Sequence, residues 1–248
     1  MAQQLQGRVA VVTGASRGIG RAAALALAEA GAHVIALART QGALEELDDQ
    51  IRERGGSATL VPVDVKDYPA LDRLGAAIHQ RWGKLDILLG NAGILGELAP
   101  ITHIDPPVWD DVMAVNVTAN WRLIRSLDPL LRASDSGRAI FLTSGAAEKC
   151  TAYWGPYSVS KAALEALVRT YAAETVTTPV RVMLISPGPL RTAMRQKAMP
   201  GEDPLKLRTP EELAPEIVRL ADPAWTETGK ILDFQTGALM TVRRQSAD

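Results

Sequence analysis

Short apolar runs alternate along the chain with longer stretches in which apolar residues recur three and four apart. Val9, Ala10, Val11 and Val12 form the first run, and residues 33–38, 59–63, 85–89, 139–143, 180–185 and 231–234 read as six more strands. Helical spacing fills the gaps. Residues 21–30 follow the first run, Leu44, Leu47 and Ile51 mark a helix that stops at Gly55-Gly56, and Leu71, Leu74 and Ile78 follow a start signal at Asp67-Tyr68-Pro69. Beyond a loop over residues 94–107, Val108, Val112, Val115, Trp121, Leu123 and Leu127 predict one long helix with Asn116 in its middle. Leu164, Leu167, Val168 and Tyr171 predict another after Pro156, and residues 211–220 a last one. Strand and helix alternate without linker, repeat or low-complexity tract, which predicts a single α/β domain over residues 1–248.

Composition sharpens this picture. Apolar residues make up 47% of the 248 residues but aromatics only 4%, so the core is mostly aliphatic, as suits a parallel sheet covered by helices. Lys plus Arg (27) nearly balances Asp plus Glu (28), which offers nucleic acid no basic patch. Cys150 is the only cysteine, which excludes an intrachain disulfide and points to a reducing compartment. His33, His79 and His103 lack metal-ligand spacing, so no metal is expected. No signal peptide is visible at the N-terminus, and no apolar run approaches the ~18 residues of a membrane helix. The expectation is a cytoplasmic protein that stays off the membrane.

Chemistry begins where the first run ends, in Thr13-Gly14-Ala15-Ser16-Arg17-Gly18-Ile19-Gly20. Strand, glycine turn and helix in succession make a phosphate site, because glycines let the backbone approach a pyrophosphate whose charge the helix N-terminus stabilises. Ala38, Arg39 and Thr40 close the second run, with no carboxylate until Glu45. An acidic residue there would bind a ribose 2′-hydroxyl, whereas arginine accommodates a 2′-phosphate. Arg39, with Arg17, Ser16 and Thr40, therefore favours NADP(H) over NAD(H); taken singly, the arginines are equally compatible with a solvated surface and Thr40 with a helix cap. Asp64-Val65 and Asn91-Ala92-Gly93 fall at strand carboxyl ends, the edge where open parallel sheets bind ligands, although Asp64 and Asn91 could equally cap turns.

Ser144 follows the fifth run directly, and Tyr157 and Lys161 stand one turn apart on the helix after Pro156. A tyrosine holds its proton to a pKa of about 10, so it shuttles protons at neutral pH only where a neighbouring cation stabilises the phenolate. Lys161 is placed to be that cation, and Ser144 to hydrogen-bond the same substrate oxygen. Alone, such a pair is also an ordinary surface feature. Asn116 is a mediocre helix former amid apolar neighbours and needs hydrogen-bond partners, which an adjacent backbone could supply. Residues 187–210, with five prolines, Gly201, Met194 and Met199, read as a long irregular substrate loop of the kind that forms lids. Glu97, Ala146, Glu148, Trp154, Met194 and Met199 are candidate pocket residues, and Trp154 suggests a substrate with apolar surface.

With Thr13, Gly14, Gly18, Gly20, Asn91-Ala92-Gly93, Asn116, Ser144, Tyr157, Lys161 and Pro187-Gly188 in this order, the chain resembles the short-chain dehydrogenase/reductase family over nearly its whole length. The resemblance implies a Rossmann-type, doubly wound parallel sheet of about seven strands with helices on both faces. It implies hydride transfer between a nicotinamide cofactor and a small carbonyl or alcohol, in a homodimer or homotetramer. By that similarity Tyr157 exchanges the proton and Ser144 positions the substrate oxygen. Lys161 lowers the tyrosine pKa and binds the nicotinamide ribose, and Asn116 holds a relay water. Gly14, Ser16, Arg17, Gly18, Ile19, Gly20, Arg39, Thr40, Asp64, Val65, Asn91, Ala92 and Gly93 would contact the rest of the cofactor, with Pro187, Gly188 and Thr192 beside the nicotinamide. The family's Asn-Asn-Ala-Gly motif has Gly90 in its first place here. The rival reading is a non-catalytic, cofactor-sensing protein of the same fold; such proteins usually lose the tyrosine or lysine, and both stand here.

Overall fold

The apolar runs become the strands of one sheet in the computed structural model, which describes residues 4–241. The elements follow in the order β1 (Val9–Thr13), α1 (Gly18–Glu29), β2 (His33–Ala38), α2 (Gln41–Glu53), β3 (Ser57–Pro62), α3 (Tyr68–Trp82) and β4 (Ile87–Gly90). After them come α4 (Pro106–Met113), α5 (Ala119–Ala133), β5 (Arg138–Leu142), α6 (Ala146–Lys149), α7 (Gly155–Glu174) and β6 (Arg181–Ser186). The chain continues through α8 (Ala193–Ala198), α9 (Pro210–Ala221), β7 (Lys230–Asp233) and β8 (Leu239–Met240). Strand order is β3-β2-β1-β4-β5-β6-β7-β8, with β1 to β7 parallel and β8 antiparallel on the edge.

The strands are apolar throughout because the sheet is buried on both faces. In β1, Ala10 and Val12 point into a layer with Leu27 of α1, Leu47 of α2 and Ile217 of α9. Val9 and Val11 point the other way, toward Leu71 of α3, Leu127 of α5 and Val168 of α7. Strand order reverses between β1 and β4, which opens a crevice outside their carboxyl ends.

Four departures from the periodicity matter. The first helix starts at Gly18, not residue 21, because the glycine turn feeds straight into it. The long helix expected from Val108 to Leu127 is broken by a π-helical turn at Ala114–Thr118, centred on Asn116. Residues 187–210 are less irregular than their prolines suggest, holding α8 and a 3₁₀ turn at Pro204–Lys206. The sheet has an eighth strand, two residues long, that pairs Leu239 with Leu232 and carries no periodic signal. Among the described residues no helix is long and apolar enough to cross a membrane.

The amino ends of the strands are pinned by buried charge. Asp86, fully buried before β4, accepts from Val9 N (2.9 Å), Ser134 Oγ (2.6 Å), Arg8 Nη1 (3.0 Å) and Lys84 Nζ (2.9 Å). Arg138, buried at the start of β5, donates to the carbonyls of Gly137, Asp222, Pro223 and Trp225. Burial pushes the Asp86 pKa up, but hydrogen bonds from Ser134, Lys84 and Val9 outweigh it and hold the carboxyl below its ordinary value. The stability this contributes is present above pH ~4 and is lost as pH falls through the depressed folded-state value. Asp86→Asn is therefore expected to cost about 3 kcal/mol in urea unfolding at pH 7. Its deficit against the wild type should narrow as the measurement is carried into acid.

Candidate active site

The turn after β1 is shaped for close approach. Gly14 and Gly18 take positive φ (66° and 54°), and a Cβ on Gly20 would lie 2.2 Å from the Gly14 carbonyl oxygen. Arg17 caps α1 without a side-chain hydrogen bond, and its first turn holds no acid, so the helix N-terminus presents its amides to an anion. Thr13 Oγ1 accepts from the amides of Asn91 and Ala92 (both 3.0 Å), while Asn91 Nδ2 donates back to the Thr13 carbonyl (2.8 Å). Asn91 thus holds the glycine turn. Beside it, Ser16, Arg17, Arg39, Thr40 and Ala43 line a hollow of about 280 Å³. Arg39 stands 4.0 Å from Asp64 across the crevice, and Val65 packs with Val115 behind it. A glycine cradle against free helix amides, with two arginines at its outer end, fits a dinucleotide.

Three consecutive residues at the end of β5 meet three side chains of α7. The Leu142 carbonyl accepts from Lys161 Nζ at 2.7 Å and Thr143 Oγ1 donates to Glu165 Oε1 at 2.6 Å, while Ser144, whose Oγ accepts from Ala146 N at 3.2 Å, stands close enough to Tyr157 to act on its phenol. Burial raises the Tyr157 pKa, and Ser144 draws it back down. Burial lowers Lys161 to about 8, while Glu165 acts to raise it. The ammonium lies 5.7 Å from the Tyr157 ring centroid, and a Cβ on Gly93 would stand 3.7 Å from it, so Gly93 leaves it room. Asn116 is fully buried; its Oδ1 accepts from Ile94 N (2.9 Å), and its Nδ2 donates to the Ile94 carbonyl and Ser160 Oγ (both 2.9 Å). Its amide ties the loop after β4 to α7.

Comparison with known proteins decides the family. Residues 8–203 match the family model described as short chain dehydrogenase. The chain belongs to the short-chain dehydrogenase/reductase family. It is 39% identical over 237 residues to the oxidoreductase YciK of Escherichia coli K12, covering 94% of each chain. A short chain dehydrogenase of Shigella flexneri, crystallised with NADP, superposes with a TM-score of 0.91 at 38% identity, covering 95% of this chain and 100% of that one. Another, from Escherichia coli CFT073 and crystallised with NADPH, gives 0.87 at 38% identity, with the same coverage.

The position where this short-chain dehydrogenase/reductase departs from the family motif has a steric cause. A Cβ on Gly90 would meet Phe141 Cδ1 at 2.4 Å and Asn120 Oδ1 at 2.6 Å. Asn120, buried one turn beyond Asn116, fills that space and donates to the Asn116 carbonyl at 2.8 Å. Sequence reasoning missed it, although two asparagines four apart in an apolar helix were a signal. Gln235 was also missed: its Nε2 donates to the Pro187 carbonyl (2.7 Å) and its side chain packs where a Cβ on Gly188 would be.

The substrate side differs from the expected lining. Leu95, Leu98, Ala146, Trp154 and Ala198 gather around Tyr157, with Trp154 edge-on to the phenol at 6.0 Å. Ala146 and Trp154 were anticipated. Glu97, Glu148, Met194 and Met199 are exposed, and Met199 lines a hollow of about 330 Å³ with Arg191, Arg195 and Leu207. Thr192 caps α8 through Arg195 N, and its methyl stands 3.6 Å from where a Cβ on Gly18 would sit, so α8 spans from the glycine turn to the tyrosine. Gly90→Ala is expected to lower unfolding stability by about 1–3 kcal/mol through overpacking against Phe141 and Asn120, measured by urea titration.

Proposed function

We propose that the protein is an NADP(H)-dependent carbonyl reductase or alcohol dehydrogenase acting on a small substrate with apolar flanks. The observation that carries this reading is the convergence of Ser144, Tyr157 and Lys161 at the carboxyl edge of the sheet, beside a glycine turn with Arg17 and Arg39 at its outer end. When bound, the nicotinamide supplies hydride to a carbonyl carbon in reduction and accepts it from an alcohol in oxidation. Arg17 and Arg39, with Ser16 and Thr40, are suited to a 2′-phosphate, since guanidinium groups match phosphate geometry. NADP and NADPH in the two solved relatives support that choice over NAD(H).

In reduction, Tyr157 gives its proton to the carbonyl oxygen as the hydride reaches carbon, and Ser144 donates a hydrogen bond to that oxygen. The phenolate left behind forms beside the Lys161 ammonium, whose charge lowers the cost of losing the proton. Asn116, carried over as the holder of a relay water, has its amide committed to Ile94 and Ser160. Its main-chain carbonyl, which accepts from Asn120 Nδ2 within the π-helical turn, is the atom left to hold that water. The apolar group around Tyr157 selects a carbonyl flanked by hydrocarbon and keeps water from the reacting oxygen. A homodimer or homotetramer in the cytoplasm, free of nucleic acid and membrane, completes the proposal.

NADPH oxidation with a panel of carbonyl compounds tests it. Tyr157→Phe is expected to lower kcat/KM by about 10²- to 10⁴-fold. Wild-type turnover no greater than the variant's would favour a cofactor-sensing role. Arg39→Ala should weaken NADPH by about 10- to 100-fold while leaving NADH nearly unchanged, read by fluorescence titration. Equal losses for both cofactors would count against the 2′-phosphate assignment.

A further inference from the structure

Lys161 is buried, and among the described residues its ammonium finds only a carbonyl, that of Leu142, at hydrogen-bond distance. Removing a cation from water without a counter-charge favours its neutral form, and a neutral amine would give the phenolate no support. A counter-charge stands one turn further along α7. Glu165 is half-buried there, and the Thr143 hydroxyl donates to its carboxylate at 2.6 Å, one residue beyond the carbonyl that receives the ammonium. We infer that Glu165 is a positioning residue for proton transfer: its carboxylate, seated by Thr143, is the anion that keeps the buried Lys161 charged. The inference rests on the catalytic reading of Lys161 given above.

Burial is the largest influence on Glu165 and, with Glu148 of α6, holds its pKa above the ordinary carboxylate value; the Thr143 bond, Arg169 on α7 and Lys161 itself act the other way and favour the ionised form. Glu165 is the acidic group that acts on Lys161, and it acts against the desolvation that pulls the ammonium toward its neutral form. Glu165 follows Lys161 by one turn of α7, as Lys161 follows Tyr157, so the cation stands between the phenol and the acid in the order of the helix.

The test is a titration of Lys161 that does not depend on turnover. Lysine ¹³Cε resonances are followed by NMR between about pH 6 and 10, roughly two units either side of the Lys161 value of about 8, with Lys161→Met assigning the signal. Glu165→Gln keeps the side-chain size and a partner for Thr143, and is expected to lower the proton affinity of Lys161 by about tenfold. Thr143→Val should move it in the same direction by less. If the Lys161 midpoint is the same in wild type and both variants, the inference is overturned and Glu165 is only a packing partner of Thr143. The alkaline limb of kcat/KM for carbonyl reduction should follow the NMR midpoint to lower pH. Absence of turnover in every protein would count against the catalytic reading alone, since the NMR midpoint still decides the role of Glu165.

Discussion

A lysine ammonium buried on a main-chain carbonyl is the constraint around which the carboxyl edge of this sheet is arranged. Lys161 cannot reach bulk water, so its charge depends on what β5 and α7 place around it. Leu142, Thr143 and Ser144 receive Lys161, Glu165 and Tyr157 respectively, and each pairing needs β5 to end where it does. Phe141, just inside that end, packs against Gly90, and Asn120 of α5 fills the remaining space. Side-chain volume in the core and proton chemistry at the edge are thus coupled through one strand.

The cofactor side obeys a different logic. Its binding elements are backbone amides and glycines, which carry no side chain to reposition, so their precision comes from what lies behind them. Thr13 and Asn91 exchange hydrogen bonds across β1 and β4, at the point where strand order reverses. Gln235 does a comparable task for the Pro187-Gly188 turn from the far end of the chain. The Thr13 hydroxyl and the side-chain amide nitrogens of Asn91 and Gln235 are all bonded to backbone, so they hold the turns from behind.

Much of the fold was legible because strands buried on both faces leave unbroken apolar runs, and helices leave 3.6-residue spacing. The glycine turn, Ser144, Tyr157 and Lys161 could be read from residue type and spacing, and the structure brings the last three together. What escaped reading depends on contacts distant in sequence. The π-helical turn at Asn116 is held by bonds to Ile94 and Ser160, which no local pattern records. Asn120 and Gln235 matter because they fill space over Gly90 and Gly188, and a glycine does not announce its neighbours.

A strand with hydrocarbon on both sides has no wrong face, so sliding it by one residue exposes nothing that burial would punish. Register in this sheet must then come from its pinned lower rim, where Asp86 grips β1 and β4 and Arg138 anchors the base of β5. Six residue steps, roughly 20 Å of chain, lead from Arg138 through β5 to the serine at the upper rim. A fault at the base would travel along β5 as along a rod and retire the serine from the phenol without touching either.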